Sequence, residues 1–282
     1  MSQAFYTESQ PGEVGRLVPD LIRSRALLRD LVSKDLRARY RNAAIGFLWA
    51  ILQPVLMMLI LTFVFGFLLK NFMPERATGK SHTFAVYLLC GLVPWQFLAL
   101  SLGNSVSSLV VNPDLIKKVY FPRETIPLAA ILNNVLNLLI GFATLLVVMA
   151  VLEGVDSIGI GLLWAPLIFG IQFVLIVGLS LLFSALNVRF RDFSYLVEVA
   201  LALGFYATPI FYELPSTINP WLYRVYMLNP MADLVMAYRQ AILDNQFPDL
   251  FYVAWPAAVA AGFLVLGIMV FRRFTPTFAD YL

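Results

Sequence analysis

The most restrictive feature of this sequence is a long uncharged segment that directly follows a basic one. No Asp, Glu, Lys or Arg occurs between Arg41 and Lys70, and residues 45–69 are almost entirely apolar. At about 1.5 Å per residue, ~20 apolar residues cross the ~30 Å hydrocarbon layer of a bilayer, and this run is longer than that. A helix in a soluble core rarely continues so far without a polar face. The segment therefore predicts a transmembrane helix.

The composition extends this interpretation to the whole chain. Of its 282 residues, 60% are hydrophobic and 13% are charged, and the mean hydropathy is +0.80, whereas soluble domains have about 25% charged residues. The single cysteine, Cys90, lies inside an apolar run, so neither a disulfide framework nor a thiolate metal site is expected. The first residues lack the order of a cleavable signal peptide, so the first span is expected to act as the insertion signal.

Six apolar runs predict an all-α membrane protein with six transmembrane helices in a domain over residues 45–271. The runs cover 45–69, 84–111, 126–152, 158–188, 194–212 and 251–271. If the N-terminus is cytoplasmic, 15 of the 20 Lys and Arg residues lie inside and 5 lie outside, in agreement with the positive-inside rule. We therefore expect both termini in the cytoplasm, with residues 1–44 as an N-terminal segment and 272–282 as a C-terminal tail.

The N-terminal segment predicts an amphipathic interface helix over residues 19–41. Basic side chains share one face of the helical wheel and leucines lie roughly opposite: Arg23, Lys34, Arg37 and Arg41 against Leu21, Leu27, Leu28 and Leu31. Such a helix lies at the membrane interface, with its basic side toward anionic headgroups or a partner protein. A solvated charged helix is the alternative.

Two short inner loops and one long outer loop connect the runs. In the inner loop 112–124, an apolar and basic turn at 115–120 is stopped by Pro122, which suits docking to a soluble partner, although an ordinary positive-inside loop is the alternative. The second inner loop is 187–193. The outer loop, 213–250, is broken by Pro220 and Pro230 and predicts two short helices on or re-entering the outer leaflet. Its residues Trp221, Tyr223 and Tyr226 suit interfacial depth.

The polar residues within the runs do not suggest catalysis. An intramembrane enzyme needs paired carboxylates, a nucleophile with its base, or metal ligands at one depth. Glu198 is the only acidic residue well inside a run, and the only histidine, His82, lies in an outer loop. We expect Glu198 to pair with Arg189 or Arg191, with a proton relay as the alternative. Amides in the runs (Gln53, Asn104, Asn133, Asn134, Asn137 and Gln172) are expected to join helices by hydrogen bonds.

The triplet Gly79-Lys80-Ser81 resembles part of a phosphate-binding loop. That loop needs an earlier glycine, and Pro74 stands at its place. We therefore expect no nucleotide site, no metal and no cofactor in this chain.

Aromatic residues are dense in the first and fifth runs. They include Phe47, Trp49, Phe63, Phe65 and Phe67 in the first run, and Phe205, Tyr206, Phe211 and Tyr212 in the fifth. Rings at interface depth normally anchor a helix. The functional alternative is a ring-lined path, because aromatic faces stack on the C–H surfaces of sugars.

Several motifs in a fixed order resemble a known family. A basic helix is followed by RYRNAAIGFLWAILQPVLMMLI, then by NPDLIKKVYFPRE, NVRFRDF and TPIFY, and finally by a long outer loop with NPM. This order resembles the membrane subunit of ABC type-2 exporters for lipid-linked polysaccharides, the O-antigen, capsule and teichoic-acid permeases. The resemblance extends from about residue 31 to residue 271.

The resemblance implies a homodimer in the inner membrane of a bacterium, bound to two copies of a cytoplasmic ATPase subunit that holds ATP and Mg²⁺. The implied contacts with the ATPase are Asp114, Leu115, Lys117, Lys118, Tyr120, Arg123, Glu124, Arg189, Arg191, Arg37 and Arg41. The implied translocation path includes Phe47, Trp49, Gln53, Phe63, Phe205, Tyr206, Phe211 and Tyr212. The short outer helices, with Trp221, Tyr223 and Tyr226, would form the exit.

The sequence therefore favours a permease without enzymatic activity of its own, which exports lipid-linked polysaccharide and contacts membrane lipids. The net charge of +3 is explained by the inner segments, so nucleic acid is not an expected partner. One alternative is an exporter of a drug or small lipid in the same superfamily, for which a small apolar pocket would be the sign. Another is a passive channel or scaffold, which would not depend on an ATPase. An intramembrane enzyme is disfavoured because no catalytic cluster is found.

Overall fold

The computed structural model describes residues 24–40, 48–65, 82–118, 121–213 and 219–282. In these ranges the chain forms helices joined by turns, as the all-α prediction requires. The α-helices are α1 (Arg25–Tyr40), α2 (Leu48–Phe63), α3 (Phe84–Val111), α4 (Pro113–Lys118), α5 (Thr125–Glu153), α6 (Ala165–Arg189), α7 (Phe193–Ala207), α8 (Pro220–Tyr226), α9 (Pro230–Ile242), α10 (Leu250–Phe274) and α11 (Phe278–Tyr281). Short 3₁₀ helices occur at Val155–Ser157, Ile160–Trp164 and Thr275–Thr277.

Four helical segments are long and apolar enough to cross a membrane. They are Phe84–Val111, Thr125–Glu153, Ile160–Arg189 and Leu250–Tyr281, and they correspond to the second, third, fourth and sixth predicted runs. The two other apolar helices are shorter, with 16 residues in α2 and 15 in α7. At 1.5 Å per residue they extend about 24 and 22 Å. Residues 41–47 and 66–81, which flank α2, lie outside the described ranges.

The prediction that the fifth run, 194–212, is helical throughout is wrong at its C-terminal end, because α7 ends at Ala207. The cause is Pro209, which lacks a backbone N–H and disfavours helical geometry in the residue before it. Thr208 accordingly has an extended backbone, with φ −110° and ψ 136°. Residues 208–213 continue as non-helical chain.

The amphipathic character predicted for the N-terminal helix is confirmed within α1. Leu31 is buried, Leu27 and Leu28 are half-buried, and Lys34 and Arg37 are exposed. The buried side of α1 packs against α5. Arg23 and Arg41, which were predicted for the basic face, lie outside the described residues.

α3 lies at the centre of the bundle. Of its 28 residues, 20 are buried, and the helix packs against α5, α6, α9 and α2. Three hydrogen bonds connect it to α6 at successive depths: Gln172 Nε2 donates to the Pro94 carbonyl (2.7 Å), Ser105 Oγ donates to Ser180 Oγ (2.8 Å), and Asn187 Nδ2 donates to the Val106 carbonyl (3.1 Å). The interhelical role predicted for Gln172 is therefore confirmed.

Two Asn-Pro pairs begin the short helices of the outer loop. Asn219 Oδ1 accepts from the Trp221 N–H (2.9 Å) and Asn229 Oδ1 accepts from the Met231 N–H (3.0 Å). Asparagine is a favoured N-cap, and proline is favoured at the position after it. Asn229 also donates to the Ala207 carbonyl (3.2 Å), which fixes the start of α9 against the end of α7. The two short helices predicted for this loop are therefore found.

Basic residues collect at one end of the bundle. α4 carries Lys117 and Lys118, α6 ends at Arg189, and the last turn of α10 carries Arg272 and Arg273. The Arg189 guanidinium lies 5.6 Å from the centroid of the Phe274 ring, which brings the ends of α6 and α10 together. We refer to this end as the basic end.

α6 and α10 form the most extensive helix pair and touch through glycine. A Cβ atom placed on Gly178 would lie 2.5 Å from the Leu264 backbone nitrogen, and one placed on Gly267 would meet the Gly178 carbonyl oxygen. Small residues allow helix backbones to approach closely in membranes, where van der Waals packing drives association. The contact therefore requires glycine at both positions.

We expect Gly178→Val to separate α6 from α10 and to destabilise the fold. Forcing bulk into a packed interior costs about 1–3 kcal/mol or more, and here the clash is with backbone atoms. The matched control is Gly170→Val in the same helix, because a Cβ at Gly170 meets nothing within 4 Å. Thermal unfolding in detergent measures both variants. Equal midpoints for the two would contradict the glycine contact.

Candidate functional site

α4 forms a short amphipathic projection at the basic end. Ile116 is buried, Leu115 is half-buried, and Asp114, Lys117 and Lys118 are exposed. Lys118 Nζ lies 2.8 Å from Asp114 Oδ1, but an ion pair this exposed contributes little to stability. The charged face of α4 is therefore accessible to another molecule.

Arg123 and Glu124 hold the same loop against the C-terminal residues. Arg272 Nε donates to Glu124 Oε1 (3.3 Å), and both side chains are only about one-tenth exposed. Arg123 Nη1 donates to the Thr275 carbonyl, and its guanidinium lies 6.0 Å from the centroid of the Phe278 ring. These residues thus fix the loop that carries α4. Their predicted role as direct ATPase contacts stays a prediction.

The other predicted basic contacts are exposed where the structure describes them. Arg189 and Arg191 lie at the basic end and Arg37 lies on α1, all exposed, whereas Tyr120 and Arg41 fall outside the described residues. The expected ion pair of Glu198 is wrong, because the described chain contains no ion pair between Glu198 and Arg189 or Arg191. The Arg189 guanidinium lies instead near the Phe190 and Phe274 rings, at 5.7 and 5.6 Å from their centroids.

α2 exposes one continuous face that includes predicted path residues. Its exposed side chains recur every three or four residues: Trp49, Gln53, Leu56, Ile60 and Phe63. Residues with this spacing share one side of a helix. Gln53 places an amide in this apolar face, and lipid tails offer an amide no hydrogen-bond partner. Phe47 lies outside the described residues.

α7 presents a second uncovered face. Val197 is its one buried residue, whereas Tyr195, Leu203 and Tyr206 are exposed. Glu198 is exposed on the same helix. A carboxylate in an apolar helix, like the amide of Gln53, favours contact with water or protein over contact with hydrocarbon.

An aromatic cluster lies at the end of α7 that is far from the basic end. Adjacent rings in the series Trp95, Phe205, Phe211, Tyr212 and Tyr226 have centroids 5.1–6.4 Å apart. Phe211 also contacts Phe65 (5.2 Å) and Tyr206 (6.1 Å). The structure therefore brings together four predicted path residues and the predicted exit residue Tyr226.

Hydroxyl groups connect the cluster to its neighbours. Tyr212 Oη donates to the Tyr206 carbonyl (2.7 Å) and lies 2.6 Å from Tyr226 Oη, so Tyr226 donates to Tyr212. Burial raises the pKa of the Tyr226 phenol, which keeps the donating proton in place. Tyr87 Oη donates to the Tyr212 carbonyl (3.1 Å) and links the cluster to α3.

The other two predicted exit residues lie on the surface of α8. The Trp221 side chain is 70% exposed. Tyr223 Oη lies 3.2 Å from Tyr252 Oη on α10. These two residues are therefore separate from the aromatic cluster, which Tyr226 joins from the same helix.

The structure buries a charge that the sequence analysis assigned to the outer loop. Arg239 on α9 is 1% exposed; its Nη2 donates to the Ile210 carbonyl (2.7 Å), and its guanidinium lies 3.6 Å from the centroid of the Tyr87 ring. Nε and Nη1 have no hydrogen-bond partner among the described residues. The space is provided by Gly91, where a Cβ would lie 3.1 Å from Nη2. Arg239 therefore ties α9 to α3 and to the chain after α7.

Asp233, on the same helix, is also fully buried. Neither of its carboxylate oxygens has a hydrogen-bond partner in the part of the chain that the structure describes. Burial raises the pKa of its carboxyl from 3.8 to about 7. The charge pattern gave no sign of this burial, and the available signal was the Asn-Pro start of α9 followed by a mostly apolar helix.

The described residues include no group of three His, Cys, Asp or Glu side chains that could hold a metal ion.

Comparison with known proteins identifies similar sequences over nearly the whole chain. Residues 27–243 match the model of a family described as "ABC-2 type transporter". An "O-antigen export system permease protein RfbA" of Myxococcus xanthus is 32% identical over 267 residues, which cover 94% of this chain and 98% of that protein. A protein of the same name from Klebsiella pneumoniae is 30% identical, covering 91% and 95%. The "Polysialic acid transport protein KpsM" of Escherichia coli is 26% identical, covering 86% and 91%.

We expect the contribution of Asp233 to stability to fall as pH rises from about 4 to about 7, and Asp233→Asn to remove that fall. Because the folded pKa lies above the unfolded value, folding takes up a proton, so this contribution to stability is present below about pH 4 and is lost as pH rises through about 7. At pH 8 the variant should therefore unfold at a higher temperature than the wild type. The control is Asp156→Asn, at an exposed site, which should leave the pH profile unchanged. Parallel profiles for Asp233→Asn and wild type would contradict the assignment.

Proposed function

The chain belongs to the ABC-2 type transporter family, and we propose on that basis that it exports a lipid-linked polysaccharide as the permease subunit of an ATP-driven exporter. The relatives named above are described as O-antigen export and polysialic acid transport proteins, and both cargoes are glycan chains. Two uncovered helix faces, each with a polar side chain in an apolar surface, carry the proposal. An amide or carboxylate in such a face is favourable beside a hydrated path and unfavourable beside lipid.

We propose that α2 and α7 line the path and that a second copy of the chain completes it. Gln53 and Glu198 are exposed on these helices. The aromatic cluster lies beyond α7, where rings can stack on sugar C–H surfaces without a fixed hydrogen-bond pattern. A homodimer would cover the two faces from both sides and keep hydrocarbon away from the polar groups.

The proposed topology has six crossings with both termini in the cytoplasm of a bacterium, and the basic end faces the cytoplasm. Clustering of Lys and Arg at that end supports the orientation. α2 and α7 become the first and fifth crossings; both are short, and the rings beside them suit interfacial depth. In a bacterium with two membranes, the chain would lie in the inner one.

We propose that a separate cytoplasmic ATPase subunit, which binds ATP and Mg²⁺, supplies the driving force. α4 offers exposed charges on a short helix, and Glu124 and Arg123 fix its loop to the C-terminal residues. A docking element held in this way transmits force to α3, which precedes it, and to α5, which follows it. The permease itself carries out no chemical step.

The small apolar pocket expected of a drug or small-lipid exporter has one counterpart in the described chain, but this pocket is smaller than a drug-sized site. The apolar cavity between α3, α6 and α7, beside Trp95 and Leu201, has a volume of about 180 Å³. Sites for drug-sized molecules usually have about 300–1,000 Å³. The polar groups on α2 and α7 also favour a hydrated cargo.

The test of the proposed function is glycan-dependent ATP hydrolysis. The purified chain is reconstituted with its ATPase subunit, and hydrolysis is measured with lipid-linked glycan and with the free lipid carrier. We expect ATP hydrolysis to require the permease and to be stimulated by the glycan. A passive channel or scaffold predicts no dependence on the ATPase.

Charge reversal on α4 tests its docking role. Lys117→Glu with Lys118→Glu should weaken co-purification of the ATPase by about tenfold or more, since like charges at a docking site are repulsive. The control is Arg224→Glu, an exposed charge on α8, which should leave binding unchanged. Co-purification of the α4 variant at the wild-type level would contradict the docking role.

For the path, we expect Trp49→Ala to impair export more than assembly. The Trp49 side chain is about half exposed, so removal of the ring leaves the bundle packed and deletes a stacking surface. Glycan accumulation in vesicles measures export, and co-purification of the ATPase measures assembly. The control is Val147→Ala, an exposed site on α5. Equal loss of export and assembly would indicate a packing role for Trp49.

A further inference from the structure

A polar cavity lies between α1, α3 and α5, in the half of the bundle near the basic end. Its volume is about 650 Å³, within the usual range for small-molecule sites. The polar groups of its wall include Asp35, Asn104, Ser107, Ser108, Asn112 and Asn133. It is separate from the aromatic cluster and from the exposed faces of α2 and α7.

Among the polar side chains of the lining, neutral donors and acceptors outnumber charged groups. Lys34 and Asp35 contribute one charge of each sign, and both are exposed on α1. Asn133 Nδ2 donates to Asp35 Oδ2 (3.1 Å), but Asn133 Oδ1 has no partner among the described residues, although the side chain is only 4% exposed. A buried acceptor in a cavity wall is suited to a ligand donor such as a hydroxyl.

We propose that this cavity binds the sugar residues of the lipid-linked glycan on the cytoplasmic side. The proposal rests on the proposed function and adds a loading site to it. Amides and hydroxyls match the alternating donors and acceptors of a neutral saccharide. A phosphate would instead favour several Arg or Lys side chains, and Lys34 is the only one in the described lining. A lipid tail would favour an apolar lining.

The position of the cavity fits a cargo whose lipid remains in the bilayer. α1 is amphipathic and suits the membrane interface, so a glycan beneath it lies at headgroup depth. The cavity wall also includes Val111 and Asn112, and Pro113, the next residue, begins α4. A bound saccharide therefore contacts the segment that leads directly into α4, the proposed docking element for the ATPase. This contact provides a physical reason for stimulation of ATP hydrolysis by the glycan.

Gly103 allows the cavity to be filled without disturbing the bundle. It lines the cavity, and a Cβ placed there meets nothing within 4 Å. Gly103→Leu places a side chain in the space that the saccharide would occupy and replaces a residue that weakens helices by about 1 kcal/mol. The matched control is Gly262→Leu on α10, where a Cβ also meets nothing within 4 Å.

We expect Gly103→Leu to raise the glycan concentration for half-maximal ATPase stimulation by about tenfold or more. Hydrolysis without glycan and co-purification of the ATPase should be unchanged. Gly262→Leu should match the wild type in all three measurements. A Gly103→Leu complex that responds to glycan like the Gly262→Leu complex would overturn the proposal.

A binding measurement independent of hydrolysis uses Ser107→Cys. The sole native cysteine, Cys90, is buried and is replaced by Ala, and the new thiol is labelled with a hydrophilic maleimide. At about ten times its Kd, a short-chain glycolipid should slow labelling about tenfold by mass action, and the free lipid carrier should not. Equal protection by the carrier alone would assign the cavity to the lipid and overturn the proposal.

The loading-site proposal and the proposed function are contradicted by different results. If glycan stimulates the wild-type complex but does not protect Ser107→Cys, the loading site is wrong and the exporter stands. If glycan has no effect on hydrolysis by the wild-type complex, the proposed function is contradicted and the loading site with it.

Discussion

The structure depends on hydrogen bonds that join α3 to the helices around it. Inside a membrane no water is present to pair backbone or side-chain groups, and each unsatisfied group is costly. α6 pairs with α3 through Gln172, Ser180 and Asn187. Gln172 also accepts a hydrogen bond from Tyr238 Oη on α9 (3.1 Å). These bonds hold α3, α6 and α9 in one arrangement. The close contact of α6 with α10 adds α10 to the same core.

This arrangement separates a packed core from uncovered helices. α3 is enclosed by α5, α6 and α9, whereas α2 and α7 pack against α3 on one side and expose the other. A rigid core leaves α2 and α7 as the helices whose surroundings a second subunit or a cargo can change. Polar side chains on these exposed faces would be unfavourable if lipid covered them. In the proposed exporter, the core therefore provides stability and the peripheral helices α2 and α7 provide the path.

The sequence predicted the parts of this structure that depend on local periodicity and composition. The four long spans, the amphipathic α1, the exposed charges of α4 and the two Asn-Pro helices follow from such patterns. The sequence did not predict that α7 ends at Ala207, although Pro209 was a usable signal. It also did not predict the burial of Asp233 and Arg239, because charged residues in a loop are normally exposed. The position of Arg239 is decided by tertiary contacts with Tyr87, Gly91 and Ile210.

Glu198 and Glu124 illustrate why charge pairing cannot be read from proximity in sequence. Glu198 was expected to pair with Arg189 or Arg191, but Arg189 lies against aromatic rings and Glu198 faces outward. Glu124, for which the sequence suggested no ion-pair partner, pairs with Arg272, which is 148 residues away in the sequence. The pair fixes the loop that carries α4 to the end of α10. α3 begins at the aromatic cluster, which it contacts through Trp95 and Tyr87, and ends at this loop. In the proposed exporter, a force on α4 therefore reaches the rings through one continuous helix, and rigid elements of this kind can carry coupling between distant sites.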